Sequence, residues 1–202
     1  MENTESKGLN SEKEEFEATK CSFKANGHTN CSKTIKDYGP LRKIHTNESC
    51  QVYEVEDTVT KEHFTLKLCK KGDFNEFQNN EIRNLTYLHD IEGDFVRCEH
   101  LFTTKTHNIF VLELLMCDFK GFLDGRGSKL SLKTARVVVK KLARIMIILH
   151  NNGIIYADLI PENIMIDKNG NLKLIDFDQS YKIGETYTKS FLPCGNLLHM
   201  GF

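Results

Sequence analysis

The sequence shows no excess of charge of either sign. Its 27 Lys and Arg residues stand against 28 Asp and Glu, which gives a net charge of −1 over 202 residues. Proteins that bind nucleic-acid backbones or anionic membrane surfaces depend on a strong positive field. We therefore expect neither nucleic acid nor a membrane among the partners of this protein.

Long apolar runs are also missing. The longest purely apolar run lies near Ile145–Leu149, whereas a helix that spans a bilayer needs about 20 such residues. The N-terminal residues contain no apolar core of the kind that a secretory signal requires. The seven cysteines are scattered, without the close pairing of a disulfide scaffold. Together these absences predict a cytoplasmic or nuclear protein.

Residues 1–37 contain few apolar side chains and show no hydrophobic period. Glu, Lys, Asn, Ser and Thr dominate this stretch, so it buries too little surface to offset the entropy of ordering it. We predict a flexible tail. Cys21, His28 and Cys31 lie within it, but their spacing fits no common zinc pattern and no fourth ligand is evident.

From residue 38 the pattern changes to alternating and amphipathic segments. Alternation with β-branched and aromatic residues predicts strands, and apolar residues at helical spacing predict helices. The N-terminal half is therefore rich in strands with one helix, and a long helix begins the C-terminal half. The predicted strands are Cys50–Val55, His63–Leu68, Phe95–Thr103, Asn108–Leu115, Ile164–Ile166 and Leu172–Ile175, and the predicted helices are Phe74–His89 and Leu130–His150, the latter capped by Ser131 and ended by Asn152-Gly153.

The densest polar pattern lies between Tyr156 and Asp178, which reads YADLIPENIMIDKNGNLKLIDFD. Asp158 and Asn163 are five residues apart in a predicted loop, and Asp176 follows a predicted hairpin at a strand end. Carboxylate and amide oxygens are the ligands that Mg²⁺ prefers, often together with substrate phosphates. The pattern therefore indicates a site for a hard cation and a phosphorylated ligand.

This segment resembles the catalytic centre of the eukaryotic-type protein kinases, whose motifs include H-R-D-L-x-x-x-N and D-F-G. The corresponding segments here are YADLIPEN at 156–163 and DFD at 176–178. The resemblance continues upstream in the same order and covers about residues 38–190. Its upstream parts are the lysine strand Thr65–Leu68, the glutamate helix Glu81–Leu85 and the strand leading to the hinge, Phe110–Leu115.

The resemblance implies an α+β fold with two lobes. We expect a flexible tail at 1–37, a β-rich N-lobe with one helix at 38–116, and a shortened helical C-lobe at 117–202 that ends in the activation-segment region. Thr186, Tyr187, Thr188 and Ser190 lie in that last region and are candidate phosphorylation sites.

The resemblance also implies ATP and Mg²⁺ as cofactors. Asp158 would be the catalytic residue that orients the attacking hydroxyl or accepts its proton, and Asn163 and Asp176 would bind the metal. Lys67 would hold phosphates, oriented by an ion pair with Glu81, and backbone groups of Leu112–Leu115 would meet the adenine edge. The full set of expected nucleotide-binding residues is Ile44, Val52, Lys67, Glu81, Leu112, Glu113, Leu115 and Asp118.

Four departures from the family pattern bear on activity. No glycine occurs between Gly39 and Gly72, so the glycine-rich loop is replaced by His45–Cys50, and close approach of the backbone to phosphates should be weakened. The other three departures are single residues. Ala157 stands where the family has an arginine that binds a phosphorylated activation loop. Ile160 stands in place of a lysine that compensates phosphate charge, and Asp178 in place of the glycine of D-F-G.

Two functions from different classes remain open. The retained polar residues favour an ATP-dependent kinase that acts on Ser or Thr of a protein substrate. The departures favour the alternative, a pseudokinase that acts as a nucleotide-binding or partner-binding scaffold. A small-molecule kinase of related fold is disfavoured by how closely the Asp158–Asp176 segment resembles protein kinases.

The helix predicted at Leu130–His150 is apolar on more than one face. Val138, Leu142, Ile145 and Leu149 form one stripe, and Val137, Val139, Ile147 and Ile148 lie outside it. Such a helix requires cover on several sides. We expect a protein partner or self-association to cover it.

Overall fold

The computed structural model describes Cys21 and residues 32–72, 75–127 and 129–184. The chain divides into two compact units. Of the described residues, the first unit contains those up to Gln78 together with Arg97–Leu114, and the second contains Asn79–Val96 together with those from Leu115 to Gly184. The predicted α+β class is confirmed, because one unit is a sheet and the other carries most of the helical residues.

The first unit is a sheet of five strands in the order β1-β2-β3-β5-β4, with every neighbouring pair antiparallel. The strand bounds are β1 Tyr38–Thr46, β2 Cys50–Asp57, β3 His63–Lys70, β4 Cys98–Thr103 and β5 His107–Glu113. The strands predicted at Cys50 and His63 are confirmed. The sequence did not predict β1, because this edge strand is mostly exposed and two register shifts interrupt its alternation.

One face of the sheet carries the hydrophobic core of the first unit. Successive residues of a strand point to opposite faces, so residues two apart share a face. Tyr53 and Val55 on β2 therefore lie on the same side as Leu66 and Leu68 on β3. The core cluster is completed by Ile109, Val111, Phe102, Tyr38 and Ile35, all of them buried.

Ile35, which belongs to the predicted tail, is buried in this core. It begins a single 3-10 turn, Ile35–Asp37, and is 1% exposed. Lys33 forms an ion pair with the buried carboxylate of Asp57, and Cys21 forms a β-bridge to Phe102. The expectation of a flexible segment at 1–37 is therefore wrong for its last residues. From Lys33 onward, the chain packs against the sheet. Residues 1–20 and 22–31 lie outside the described part of the chain.

The pKa of Asp57 reflects this packing. Burial alone would raise the pKa of the carboxyl, but the hydrogen bond from Lys33 and those from the N–H groups of Thr60 and Val59 hold it below its usual range. Three donors therefore stabilise the ionised form of a nearly buried group. The segment before β1 is tied to the sheet by charge as well as by apolar contact.

The helix predicted at Phe74–His89 is present as α1, Asn75–Leu88; Phe74 lies outside the described residues. Within the second unit, this helix buries Asn80, Glu81 and Asn84 beside Leu85 and Leu88. Polar and apolar residues share one buried face. That mixture distinguishes α1 from an ordinary amphipathic helix.

In the described part of the second unit, the remaining elements are two helices, five short strands and one 3-10 turn. Their bounds are α2 Phe119–Asp124, α3 Leu132–Asn151, β6 Cys117–Asp118, β7 Ile154–Ile155, β8 Ile164–Ile166, β9 Leu172–Leu174, β10 Tyr181–Lys182 and the turn Pro161–Asn163. The strands form one sheet in the order β6-β8-β9 and a second in which β10 pairs with β7. The sequence did not predict α2, β6 or β10, which are too short to show a period.

The long helix predicted at Leu130–His150 is present as α3, Leu132–Asn151, with the predicted N-cap Ser131 and the predicted stop at Asn152-Gly153. The Ser131 hydroxyl accepts a hydrogen bond from the Thr134 N–H at 3.1 Å, which is an N-cap. At the other end Asn152 is the C-cap, and Gly153 follows in the left-handed region with φ of +71°.

The strand predicted at Phe95–Thr103 begins only at Cys98. Phe95 instead forms a parallel bridge to Leu174, and the Val96 N–H donates to the Leu174 carbonyl at 2.8 Å. Phe95 and Val96 thus belong to the second unit, and the unit boundary falls before Arg97. The expected division at residue 116 does not match this arrangement, because Asn79–Val96 packs with the helical residues.

The apolar faces predicted for α3 are present. Ile145 and Leu149 are buried, whereas Leu132, Val137, Val139 and Ile147 are each more than half exposed. The core of the second unit therefore covers only one stripe of this helix. Among the described residues, no helix is long and apolar enough to cross a membrane.

Ile35→Ala tests whether the segment before β1 is part of the folded core. We expect the free energy of unfolding to fall by about 2–5 kcal/mol, because the substitution removes a buried side chain and leaves a cavity. Urea unfolding followed by circular dichroism measures the change. Ile44→Ala is the matched control, because Ile44 is 46% exposed and should cost less than about 1 kcal/mol. Equal effects at the two positions would contradict the packing described here.

Candidate functional site

Asp158 lies in the loop between β7 and the turn Pro161–Asn163, and Asn163 closes that loop. The Asn163 side-chain N–H groups donate to Asp158 Oδ2 at 2.7 Å and to the Asp158 carbonyl at 3.0 Å. The backbone contributes as well, since the Ile160 N–H donates to the Asp158 carbonyl and the Asn163 N–H to that of Ile160. Two residues predicted to act together are therefore in direct contact, and one orients the other.

Asp176 follows β9 in an unusual backbone conformation. Its φ is +58°, in the left-handed region that few residues other than glycine adopt, although Asp tolerates it better than most. The next residue, Phe177, is fully buried. Its ring packs edge-on against Tyr156 at 5.2 Å and Phe95 at 6.3 Å between centroids. This aromatic packing fixes the backbone beside Asp176.

The ionisation of Asp158 is shifted by its surroundings. Burial raises the pKa of the Asp158 carboxyl above its usual range, and the hydrogen bond from Asn163 opposes that shift. The negative charges of Asp176 and Glu162 raise the same pKa further. A carboxylate with a raised pKa is a better proton acceptor than an ordinary one.

Tyr156 lies among three carboxylates. Burial, and then the charges of Asp176, Asp158 and Asp178, hold the pKa of its phenol well above the usual range. The hydroxyl donates to the Ile175 carbonyl at 2.5 Å. The three carboxylates therefore concentrate negative charge in one small region of the second unit.

The residues present fit a single hard cation. The amide nitrogen of Asn163 is bonded to Asp158, so Oδ1 is the atom that Asn163 has to offer a metal. A cation there would relieve the repulsion between the carboxylates. Within the described ranges, no group of three or more His, Cys, Asp or Glu residues is arranged to hold a metal by itself. Any metal at this site would therefore need further oxygen ligands from bound phosphate or from water.

Two asparagines on α1, Asn80 and Asn84, hold the segment that follows Asp176. Asn84 Nδ2 donates to the carbonyls of Phe177 at 2.9 Å and Ser180 at 2.7 Å. Asn80 Nδ2 donates to the carbonyls of Asp178 and Ser180. Both asparagines are buried, and Asn84 is completely so. We refer to Asn80 and Asn84 as the asparagine pair.

Glu81 lies next to Asn80 on the same helix and is 3% exposed. A carboxylate this deeply buried is stable only with hydrogen-bonding or charged partners. Its predicted partner Lys67 belongs to the first unit, and the ion pair between them stays a prediction. Glu81 is in any case placed by the helix that also holds residues 177–180.

Lys67 lies on the face of the first sheet opposite the hydrophobic core. It is directly across from Val52 on β2 and Phe110 on β5, and residues directly opposite in antiparallel strands share a face. Its ammonium is 5.9 Å from the centroid of the Phe110 ring. Leu112, two residues from Phe110, lies on the same side. The structure thus brings together Lys67, Val52 and Leu112, three of the predicted nucleotide-binding residues, on what we call the Lys67 face.

The strand β5 limits what Leu112 can offer a nucleotide. Leu112 lies opposite Thr65 on β3 and Cys98 on β4, so its backbone groups belong to the sheet. Its side chain is the part that can meet a nucleotide. At the end of the strand, the Glu113 carboxylate accepts from the Arg97 N–H at 2.8 Å, and the Glu113 N–H donates to the Arg97 carbonyl.

The other predicted nucleotide-binding residues are less closely grouped. Ile44 lies at a register shift of β1 and is 46% exposed. Leu115 is buried in the second unit. Asp118 caps α2, because its Oδ1 accepts from the Gly121 N–H at 2.7 Å. That cap gives Asp118 a structural role apart from the nucleotide contact expected of it.

A polar turn stands where the family has its glycine-rich loop. Asn47 Oδ1 accepts from the N–H groups of Ser49 at 3.0 Å and Cys50 at 2.6 Å. This is the kind of side-chain bond with which asparagine shapes a tight turn. The turn between β1 and β2 is therefore formed without glycine, and Glu48 is exposed at its tip.

Sequence reasoning missed the asparagine pair. The available signal was two asparagines four residues apart on the predicted helix, on either side of Glu81. Residues at this spacing share a helix face, and here that face includes Leu85 and Leu88. Amides on an otherwise apolar face need buried partners, but the sequence does not reveal which backbone segment supplies them.

Comparisons with known proteins agree with these motifs. Residues 38–196 match the family model described as the protein kinase domain. The serine/threonine-protein kinase cek1 of Schizosaccharomyces pombe is 30% identical over 151 residues, which are 73% of this chain and 11% of that protein. The serine/threonine-protein kinase RIM15 of Saccharomyces cerevisiae is 29% identical over 171 residues, which are 79% of this chain and 9% of that protein. Cyclin-dependent kinase G1 of Arabidopsis thaliana is 27% identical over 164 residues, which are 76% of this chain and 26% of that protein. The chain thus spans about a quarter or less of the length of these three relatives.

Asn84→Ala tests the asparagine pair. We expect the free energy of unfolding to fall by about 1–3 kcal/mol, because the buried carbonyl of Phe177 loses a donor and that of Ser180 loses one of two. Chemical denaturation measures the change. Asn79→Ala on the same helix is the matched control, since Asn79 is exposed and its replacement should be nearly neutral. A neutral Asn84→Ala would show that these bonds do not support the segment.

Asp176→Asn tests the coupling between the two aspartates. Because the substitution removes a negative charge that raises the Asp158 pKa, we expect that pKa to move down toward its ordinary value. Carbon-13 NMR titration of the Asp158 carboxyl measures it. Asp178→Asn makes the same change two residues away and should affect Tyr156 but not Asp158. If both variants shift the Asp158 pKa equally, a specific effect of Asp176 is excluded.

Proposed function

The chain belongs to the protein kinase family, and from that premise we propose that it transfers the γ-phosphoryl group of ATP to Ser or Thr hydroxyls of a protein substrate. Similarity to the serine/threonine-protein kinases cek1 and RIM15 supports this substrate class. In phosphoryl transfer the protein mainly positions the reactants and compensates charge.

The contact between Asn163 and Asp158 is the observation that carries the proposal. A carboxylate oriented at 2.7 Å by a buried amide, with a pKa raised by burial and by neighbouring charge, is suited to accept a proton from a substrate hydroxyl. A purely structural loop has no need of a partly buried carboxylate that other carboxylates repel. We therefore assign Asp158 the role of general base or orienting group.

We further propose that Asn163 Oδ1 and the Asp176 carboxylate hold Mg²⁺. When bound, the ion compensates the negative charge of the nucleotide phosphates. The residues themselves prepare this site, because the bond from Asn163 to Asp158 turns the amide oxygen away from the base. The backbone of Asp176 is set by the buried Phe177.

On the Lys67 face, we assign Lys67 to the ATP phosphates and Val52 and Leu112 to apolar contact with the nucleotide base. Phe110, directly across from Lys67, is fully buried, and its ring centroid lies 5.9 Å from the Lys67 ammonium. Glu81 is assigned to orient Lys67, as the family resemblance implies. Ile44, Glu113, Leu115 and Asp118 complete the proposed nucleotide contacts.

The departures from the family pattern predict slow turnover. Ile160 supplies no charge where related kinases have a lysine, and the turn at Asn47–Cys50 presents side chains where a glycine-rich loop presents backbone. A scaffold with the same fold would bind nucleotide or a partner protein without transferring phosphate. The two functions differ in one measurable quantity, the rate of transfer at saturating ATP.

Asp158→Asn tests the catalytic assignment. We expect the wild-type chain to phosphorylate a mixed Ser/Thr peptide library with MgATP, and the variant to lose roughly 10²–10⁴-fold in kcat, the usual contribution of a general base. Phosphopeptide mass spectrometry measures transfer. Asp124→Asn is the matched control, because Asp124 is an exposed aspartate at the end of α2 and should retain full activity.

A parallel thermal melt separates the two functions. If the wild-type chain is stabilised by MgATP but transfers no phosphate, the scaffold function is correct and Asp158 is not catalytic. If Asp158→Asn and Asp124→Asn are equally active, the assignment of Asp158 is wrong. Absence of any MgATP stabilisation, together with absence of transfer, would contradict both the kinase and the nucleotide-binding scaffold.

A further inference from the structure

Cys50 and Cys69 face each other across the strands β2 and β3. They are directly opposite in the register, and their Sγ atoms are 3.3 Å apart. The Lys70 N–H donates to the Ser49 carbonyl at 2.8 Å, so the adjacent pair Ser49–Lys70 is hydrogen-bonded and Cys50–Cys69 is a non-hydrogen-bonded pair. We refer to Cys50 and Cys69 as the cysteine pair.

This position in the sheet suits a covalent bond between the two sulfurs. In a non-hydrogen-bonded pair the Cα atoms are about 4.5 Å apart and the side chains approach most closely. Disulfides are found at Cα separations of about 4.4–6.8 Å. The backbone therefore already has the spacing that a cross-strand disulfide needs.

The two thiols differ in access. Cys50 is partly exposed at the start of β2, directly after the Asn47 turn, whereas Cys69 is buried. A partly exposed thiol can meet a small oxidant, and a buried thiol in contact with it can then displace the oxidised group. The arrangement is that of an attacking and a resolving cysteine.

We propose that the cysteine pair is an oxidation site that closes reversibly to a Cys50–Cys69 disulfide in the presence of a peroxide. The Cys50 thiol loses its proton, and the thiolate attacks one oxygen of the peroxide and breaks the O–O bond, giving a sulfenic acid and a hydroxide that takes up the released proton to become water. The Cys69 thiol then attacks the Cys50 sulfur, forms the S–S bond and releases a second water. Both sulfurs are oxidised and hydrogen peroxide is reduced to water; a dithiol reductant then restores both thiols by exchange and is itself oxidised to a disulfide.

The disulfide would lie beside the Lys67 face. Val52 and Lys67 form the next non-hydrogen-bonded pair along the same two strands, so the cysteine pair lies on the same side of the sheet, two residues away. Closure would anchor the end of the Asn47 turn to β3. Oxidation would thus make the Asn47 turn more rigid. This turn stands where related kinases have the glycine-rich loop that covers the nucleotide phosphates.

The test uses the full chain, treated with hydrogen peroxide, alkylated at its remaining thiols and digested without reduction. We expect mass spectrometry to identify a Cys50–Cys69 linked peptide that disappears after treatment with dithiothreitol. The closed loop of about 20 residues should also raise the Tm of the oxidised chain by roughly 5–10 °C over the reduced chain.

Three variants make the test specific. Cys50→Ser and Cys69→Ala should each abolish both the linked peptide and the Tm shift. Cys117→Ser is the matched control, because Cys117 is an exposed thiol in the second unit, and it should leave both readouts unchanged. The peptide map of the wild-type chain needs no variant, so it decides between the outcomes even if Cys69→Ala folds poorly.

Two results would overturn the proposal. One is a peptide map in which Cys50 and Cys69 remain alkylated thiols under conditions that oxidise Cys117. The other is a map in which either residue is linked to a different cysteine. Neither readout involves nucleotide or phosphate transfer, so failure here leaves the proposed kinase function standing, and failure of that function leaves the oxidation site standing.

Discussion

The hydrogen bonds from the asparagine pair to the carbonyls of residues 177–180 are the constraint on which the second unit depends. That segment leaves β9 with Asp176 in a left-handed conformation, and residues 177–180 are not part of a strand. Buried carbonyls without donors are costly. Because the donors lie on either side of Glu81 on one rigid helix, a single set of bonds positions Asp176 and Glu81 together.

The donors that position residues 177–180 are neutral amides, so this positioning does not require a change of charge such as phosphorylation. In many related kinases an arginine before the catalytic aspartate binds a phosphorylated activation loop, and here Ala157 occupies that place. The Asn163–Asp158 contact and the asparagine pair instead depend on hydrogen bonds from neutral amide donors. The carbonyls that accept from the asparagine pair are neutral as well, so the position of residues 177–180 is set by folding itself. The predicted phosphorylation sites Thr186, Tyr187, Thr188 and Ser190 lie outside the described residues.

In each unit, the residues that form the core and those proposed to bind or react lie in different places. In the sheet, alternation places the core residues on one face and Lys67 with Val52 on the other. In the second unit, the irregular segments after β7 and β9 gather Asp158 and Asp176, while the buried Phe177 and Tyr156 provide the support. Negative charge accumulates where cation chemistry is proposed, and apolar packing stabilises the surrounding backbone against that repulsion.

Sequence alone determined the family, the longer elements and the polar motifs, because these depend on local periodicity and on short spacings such as Asp158 to Asn163. It also identified the apolar residues that α3 carries on more than one face, and Ser131 as its N-cap. Only the tertiary structure decided that Ile35 belongs to the core, that Phe95 packs with Leu174 rather than extending β4, that Asn84 binds the carbonyls of residues 177 and 180, and that Cys50 meets Cys69. Each of these depends on partners far apart in the chain, and such contacts leave no period in the sequence from which they could be predicted.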